Sequence, residues 1–369
     1  MKSLKLFFFA MAAMPLLSSC MSEGDSYAGF MGINANNRAP VYANTAYAYV
    51  SFASFGAWHI EQNSGSDWCK LALMNGKGGS YYSIPAHFEL NTTGASRKAD
   101  FMLRDDANGD DAFASFYFSQ YATRGDGSLG NAPLVTFISG DDGSSITLQY
   151  DTLCRPTVLI IEKGGKKLSN LSIYYSQRDS TVNVNTGSGT LMGKHNSGYQ
   201  PSLLVSTTDT VGYYAQKVYS ENMVDFNVEE HKRGGEYTVQ ALRYTTGSFK
   251  TKNPDEECVA DSMRYIHQYE DGTRYEDLFK LSYSDNSNRC QSVDVNQLLL
   301  GVEECNPYQL IALFRDARNS KIISEALSVD GKISVETTLN ADKSVNTLTV
   351  TAKDGSKIKY TFTYSNTLP

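Results

Sequence analysis

From about residue 45 onward the chain is built of short segments in which apolar and polar residues alternate: AYAYVSF, AHFEL, ASFYFSQY, LVTFI and SITLQY. Successive residues of a strand face opposite ways, so this period of two fits half-buried strands and not helices. Clusters of Gly, Asn, Asp and Ser separate the segments, and these residues reverse a chain at little steric cost. The pattern predicts a mainly β chain with antiparallel pairing. The 24 Tyr and 17 Phe suit strand surfaces. The clearest hairpin is the last. TLTVTA alternates Leu348, Val350 and Ala352, Asp354-Gly355 supplies a tight turn, and Ile358, Tyr360, Phe362 and Tyr364 share one face of the returning strand.

Residues 139–369 carry a loose repeat: a strand ending in Tyr, a polar turn, an Arg, then another strand. It reads as Tyr150, Arg155 and Val158, again as Tyr175, Arg178 and Val182, and again as Tyr283, Arg289 and Val293. One helix interrupts the strands in NPYQLIALFRDARN. Asn306 is placed to cap it, Pro307 fits the first helical position and Gln309 sits three residues after the cap. Leu310, Leu313, Phe314 and Ala317 form one stripe, expected to be core that plugs or flanks the open side of the sheet. The whole region resembles tyrosine-aspartate hairpin repeats. More closely, it resembles a family of uncharacterised Bacteroidetes lipoproteins with a porin-like fold. That resemblance implies a large, curved antiparallel β-meander with one short helix, and it implies no activity.

The first residues give an address. Lys2 and Lys5 precede an apolar run from Leu6 to Leu17, too short for a membrane helix of about 20 residues but right for a secretory signal. Leu17-Ser18-Ser19-Cys20 follows, and this resembles the bacterial lipobox. The resemblance implies removal of residues 1–19 and lipidation of Cys20, with membrane lipid as the partner of the anchor. Several acyl chains hold stably where one holds weakly. Met21 to Asp25 reads either as a solvated tether or as a signal for surface export, and residues 20–44 as a whole read as a tether. The expected location is the cell envelope, at the outer membrane.

Residues 45–138 hold Gly56-Ala57-Trp58, then Trp68, a glycine-rich turn at 76–79 and the stretch Thr92 to Arg97. This arrangement resembles the BACON domain, an immunoglobulin-like module of Bacteroidetes surface proteins. The resemblance implies an Ig-like β-sandwich, and some members have been associated with carbohydrate or mucin. Trp58 and Trp68 are expected in the core of such a sandwich. Tyr81 and Tyr82, beside the glycine turn, are the candidate glycan-binding residues. Being adjacent on a strand, only one of them can join a single platform. After Arg104 the segments DDANGDDAF and ATRGDGSLGNAP read as enlarged loops. Asp106, Asn108 and Asp110 begin like a calcium loop, but Asp111 and Tyr117 stand where that loop needs Gly and Glu. A solvated turn is expected there, and no metal.

No nucleophile elbow, metalloprotease helix, phosphate loop or dinucleotide fingerprint occurs, so no cofactor and no enzyme are expected. Glu229-Glu230, Glu256-Glu257 and Glu303-Glu304 read as solvated surface, although folding could bring a carboxylate pair together. With a net charge of −7 and no basic run, the chain is a poor partner for nucleic acid. Besides Cys20, five scattered cysteines read mostly as buried free thiols, and the five histidines stand apart from one another. Asp followed by Ser or Thr and then an aliphatic, Met or Thr resembles the Bacteroidetes O-glycosylation sequon, which implies modification at Thr152, Ser180, Thr210 and Ser262. The reading is a non-catalytic envelope lipoprotein binding glycan or a surface protein. Its rival is a structural, fimbrial-type subunit that exchanges a strand.

Overall fold

The computed structural model describes residues 30–35, 41–106, 113–176, 179–206, 211–245, 249, 253–314, 318–365 and 368. Cys20, the expected signal, Thr210, and Asn108 and Asp110 of the acidic turn lie outside the described residues. The chain divides into two compact units. The first takes residues up to Val41, Ala46–Glu89 and Arg97–Gln120, and the second takes Tyr42–Thr45, Leu90–Ser96 and Tyr121–Pro369.

The first unit has eight strands: β1 Phe30–Asn34, β2 Tyr47–Ser54, β3 Trp58–Gln62, β4 Cys69–Leu71, β5 Asn75–Gly76, β6 Ser80–Phe88, β7 Arg97–Asp105 and β8 Phe113–Gln120. They form two four-stranded antiparallel sheets, ordered β1-β2-β6-β4 and β5-β3-β7-β8, whose inward residues share one apolar core. Both tryptophans are buried in it. Trp58 meets the rings of Phe52 and Tyr82 edge-on at 4.9 and 4.7 Å. It also explains Gly76, because a Cβ there would sit 2.5 Å from its ring. The Arg97 guanidinium lies 4.4 Å over Trp68, so this arginine covers a core edge. Within the expected tether, Phe30–Asn34 form β1, which pairs with β2, and Phe30 is buried against Phe52. The alternation that marks the strands fails to mark β1, because FMGIN is short and holds Gly32.

The second unit is a closed antiparallel barrel of 16 strands. They are β9 Val135–Gly140, β10 Ser144–Tyr150, β11 Pro156–Lys163, β12 Lys166–Tyr175, β13 Thr181–Asn185, β14 Thr190–Lys194, β15 Leu203–Ser206 and β16 Gly212–Tyr219, then β17 Met223–His231, β18 Tyr237–Thr245, β19 Ser262–Gln268, β20 Arg274–Ser287, β21 Lys321–Ser328, β22 Gly331–Leu339, β23 Val345–Thr351 and β24 Lys357–Tyr364. Each strand pairs with the next, and β24 returns to β9, with Phe362 opposite Ile138. This corrects the expected open meander. An open sheet leaves two rows of unpaired backbone groups, and closure removes both. The expected boundary at 138/139 falls inside β9. The segment ATRGDGSLGNAP belongs to this unit, where Leu129 N donates to Arg289 O at 2.9 Å.

The barrel's inner face is apolar. Ile146 and Leu148, Leu171 and Ile173, Phe226 and Val228, and Tyr360 and Phe362 are buried in one cluster. The outer face carries the alternate residues, such as Ser145, Thr147 and Gln149 on β10 and Thr347, Thr349 and Thr351 on β23. Asp225 pairs with Arg243 at 2.6 Å and Arg264 with Glu276 at 2.7 Å on that face. A membrane-spanning barrel has the opposite polarity, with an apolar outer band about 25 Å tall. No helix among the described residues is long and apolar enough to cross a membrane.

Sixteen strands ordinarily leave a channel. Here the described residues of the connection between β20 and β21, 288–314 and 318–320, fill it. Its residues Val293, Val295, Leu298, Leu310, Leu313 and Phe314 are buried in the same cluster as the inner wall. The expected helix is a single turn, α1 Pro307–Leu310, with the Asn306 side chain accepting from Tyr308 N and Gln309 N at 3.1 Å each. It stops because Ala312 takes φ +46°, a left-handed conformation that no helix continues through. Leu310, Leu313 and Phe314 of the apolar stripe are buried as core in the plug, and Ala317 lies outside the described residues.

The tyrosine repeat also has a physical meaning. The hydroxyls of Tyr150, Tyr175, Tyr283 and Tyr364 donate to the carbonyls of Val135, Pro156, Ala260 and Val345 at 2.9, 3.2, 2.8 and 2.6 Å. Each latches a strand end to a backbone carbonyl at the same end of the barrel.

Candidate functional site

Strand order assigns the connections alternately to the two ends. The plug leaves β20 and enters β21 at one end, where Asn288 N donates to Ser320 O at 2.8 Å. We call this the anchored end. The plug reaches the opposite end at residues 302–308. There Glu303 takes Lys163 Nζ at 3.1 Å, beside the turn joining β11 and β12. Between the plug tip and strands β11 to β19 lies a cavity of about 700 Å³. Its wall includes Glu230, Gln240, Tyr265 and His267 from the barrel and Glu304 and Tyr308 from the plug.

The side chains of this mouth form a chain. His267 Nε2 is 2.9 Å from Glu236 Oε1, and its Nδ1 is 3.3 Å from Glu304 Oε2. The Tyr265 hydroxyl donates to the same Glu304 oxygen, and Lys232 Nζ donates to Glu236 at 3.1 Å. Tyr269 stacks on the His267 ring at 4.0 Å and fixes its plane. Burial works to raise the Glu236 carboxyl, but the hydrogen bonds from His267 and Lys232 outweigh it and hold the group below the usual range. Glu230 is different. Burial pushes its carboxyl up, the Lys232 charge only partly opposes this, and no hydrogen bond reaches it among the described residues. Gln240 is 9% exposed, and its Oε1 has no hydrogen-bond partner among the described residues, while its Nε2 lies 3.5 Å from Met263 Sδ.

These residues correct the reading of Glu229-Glu230 and Glu303-Glu304 as mere surface. Glu230 and Glu304 face one cavity, whereas Glu229 lies on the outer wall 3.2 Å from His231. The signal was present in the alternation. Val224, Phe226 and Val228 are buried on β17, and Glu230 continues their phase; Met263 and Tyr265 do the same for His267 on β19. Among the described residues no group of three or more His, Cys, Asp or Glu is arranged to hold a metal. The cysteines Cys69, Cys154, Cys258, Cys290 and Cys305 are free thiols, three of them buried.

The other predicted positions lie elsewhere. Tyr81 is 69% exposed on β6, while Tyr82 turns inward, stacks on Phe52 at 5.5 Å and donates to Lys77 O at 2.5 Å. Thr152 and Ser180 are exposed on turns of the barrel's anchored end, and Ser262 is half-buried at the start of β19.

No protein-family model matches the chain, and no curated protein matches it. Among solved structures, a porin-like protein from Bacteroides vulgatus aligns over 64% of this chain and 100% of its own, with 9% identity and a TM-score of 0.41. A porin-like protein from Bacteroides uniformis aligns over 63% of this chain and 99% of its own, with 11% identity and a TM-score of 0.37. A Bacteroides ovatus GH5 xyloglucanase, solved with a XXXG heptasaccharide, aligns over 27% of this chain and 21% of its own, with 21% identity and a TM-score of 0.20.

Proposed function

We propose that the chain is a non-catalytic binding protein of the cell envelope, lipidated at Cys20, whose barrel is a water-facing scaffold and not a pore. The observation that carries this is the barrel's polarity: an apolar, plugged interior, an outer wall on which Ser, Thr and ion pairs stand among scattered exposed apolar residues such as Leu203, Val205 and Val218, and a cavity left at the plug tip. The ligand is a small polar molecule or the end of a glycan. The first unit is read as a BACON-like, Ig-like sandwich offering Tyr81 as a second glycan contact, and Thr152, Ser180, Thr210 and Ser262 as sites of O-glycosylation. The non-catalytic reading is supported by how the carboxylates are used. A glycosidase needs two of them free to face the scissile bond, and Glu236 and Glu304 are both engaged by neighbours. The fimbrial alternative needs a sheet edge that accepts a strand, and barrel closure leaves none in the second unit.

Two experiments test this. Cells expressing the Cys20→Ala variant should take up no fatty-acid label where the parent does; equal labelling removes the anchor. A glycan array with the purified protein should show binding to a defined glycan. Silence across the array, together with polymer ladders in unboiled gels, turns the reading into the fimbrial one.

A further inference from the structure

We infer that the barrel mouth takes a small organic cation: a primary ammonium beside a second hydrogen-bond donor, with Glu230 as its counter-charge. This rests on the reading of the mouth as a binding site and names the class of ligand.

Several polar groups around the cavity are already paired with one another. Glu236, Glu304, His267, Lys232 and Tyr265 satisfy one another. The buried Gln240 Oε1 and the half-buried Glu230 accept no hydrogen bond among the described residues, and the Tyr213 hydroxyl on the same wall has no partner there either. A buried acceptor without a donor costs about 1–3 kcal/mol, more when charged. The missing partner must therefore donate. It must donate twice, because the two acceptors are placed together. Glu230 stands opposite Thr238, and Val228 stands opposite Gln240, so Glu230 and Gln240 are diagonal neighbours on the inward face of β17 and β18. Such neighbours lie about 7 Å apart, a gap that one small molecule donating from two nearby atoms can bridge.

Charge decides the rest. The acids lining the mouth are Glu230, Glu303 and Glu304, with Glu236 beside them; Lys163 serves Glu303, Lys232 serves Glu236, and Lys167 and Arg233 also line the wall. A neutral alcohol would satisfy Gln240 but add nothing to the partial compensation that Lys232 gives Glu230. An ammonium supplies both donors and charge. The volume of about 700 Å³ admits a monosaccharide-sized molecule. An amino sugar and an aliphatic diamine share this chemistry.

The test is calorimetric titration of the purified protein with glucosamine and with putrescine, each beside its neutral counterpart, glucose and 1,4-butanediol. At least one cation should bind at least about tenfold more tightly than its counterpart, a difference of about 1.4 kcal/mol. Glucosamine alone identifies the amino sugar as the source, and putrescine alone the diamine. Glu230→Gln should abolish the tenfold preference while leaving the thermal unfolding transition in place or raised. Gln240→Leu should weaken the cation without removing its advantage over the neutral compound. Equal affinity for cation and counterpart overturns the inference, as does a Glu230→Gln protein that keeps the preference. If glucose binds and the amines add nothing, the cation falls and the binding reading stands. If none of the four binds up to about 10 mM, the inference and the small-ligand reading of the mouth fall together.

Discussion

The two ends of the barrel use the same kinds of residue to opposite effect. At the anchored end, the fully buried Arg318 donates to the carbonyls of Asn288, Gln291, Val293 and Asp126, and so ties both roots of the plug to the loop before β9. Arg289 donates to Asp255 O at 2.9 Å, and the Asp255 carboxylate takes Ala122 N, Thr123 N and the Thr123 and Ser96 hydroxyls. Gly125 belongs to this closure: a Cβ there would lie 1.9 Å from Gly198 O. At the mouth, charges line a cavity, and Glu230 and Gln240 are held facing it by the strands beneath. Orphan atoms occur at both ends, but Gln291, whose Oε1 is unpaired at the anchored end, is fixed through its Nε2 to Asn288. The difference teaches that burial of charge here has two purposes. One end converts it into fixed geometry, and the other leaves it unspent for a ligand.

Arg318→Met should cost about 4 kcal/mol in denaturant unfolding, because it strands several buried carbonyls at once. A loss under about 1 kcal/mol would mean that the plug is not held from this end. Tyr283→Phe, which removes one latch to Ala260 O, should cost about 1 kcal/mol. At the mouth the sign should reverse. Gln240→Leu removes an acceptor that has no donor, so stability should stay level or rise by up to about 1 kcal/mol; a clear loss would erase the contrast between the ends.

Smallest, and most specific, is the pH dependence. Burial alone would raise the Asp255 carboxyl, but its hydrogen bonds from Ser96, Thr123 and the Ala122 backbone hold it below the usual value. Its stabilisation is therefore present above the unfolded value of about 3.9 and is lost as pH falls through the folded one. Glu230 is raised, so its ionisation opposes folding. Its contribution is most favourable below the unfolded value of about 4.3 and declines as pH rises. The melting temperature of Asp255→Asn should lie below the parent near pH 7 and converge on it in acid. That of Glu230→Gln should lie at or above the parent near pH 7 and lose any gain in acid. Parallel curves for the two variants would show that the ends do not differ electrostatically.

Local features were legible in the sequence. The final hairpin pairs as the alternation requires, with Leu348 opposite Tyr360 and Val350 opposite Ile358, and Gly355 takes the left-handed turn position at φ +84°. Trp58 and Trp68 are in the core, and the repeat tyrosines close strand ends. Closure was not legible, because alternation reports which face is buried and not which strand is the last neighbour. The plug was half legible: its apolar stripe was visible, but the Ala312 backbone that ends the helix has no residue-type signal. The mouth was missed because Glu230, His267 and Glu304 come from three separate segments, and each acid or histidine read singly is ordinary surface. Read in phase with its strand, Glu230 was marked as inward-facing.

Closure also sets a schedule. Thr136 and Thr363, joined by a hydrogen bond across the β9–β24 seam, are 227 residues apart in the chain. A stave barrel has no intermediate hoop, so the first and last staves must wait for each other. Until residues 357–364 arrive, β9 and β23 each present a bare edge of the kind that recruits strands from other molecules. Such long-range pairing is slow to form. The polypeptide's final hairpin is therefore the fastener of the whole second unit, and a chain cut short before it would be an aggregating sheet and not a smaller barrel.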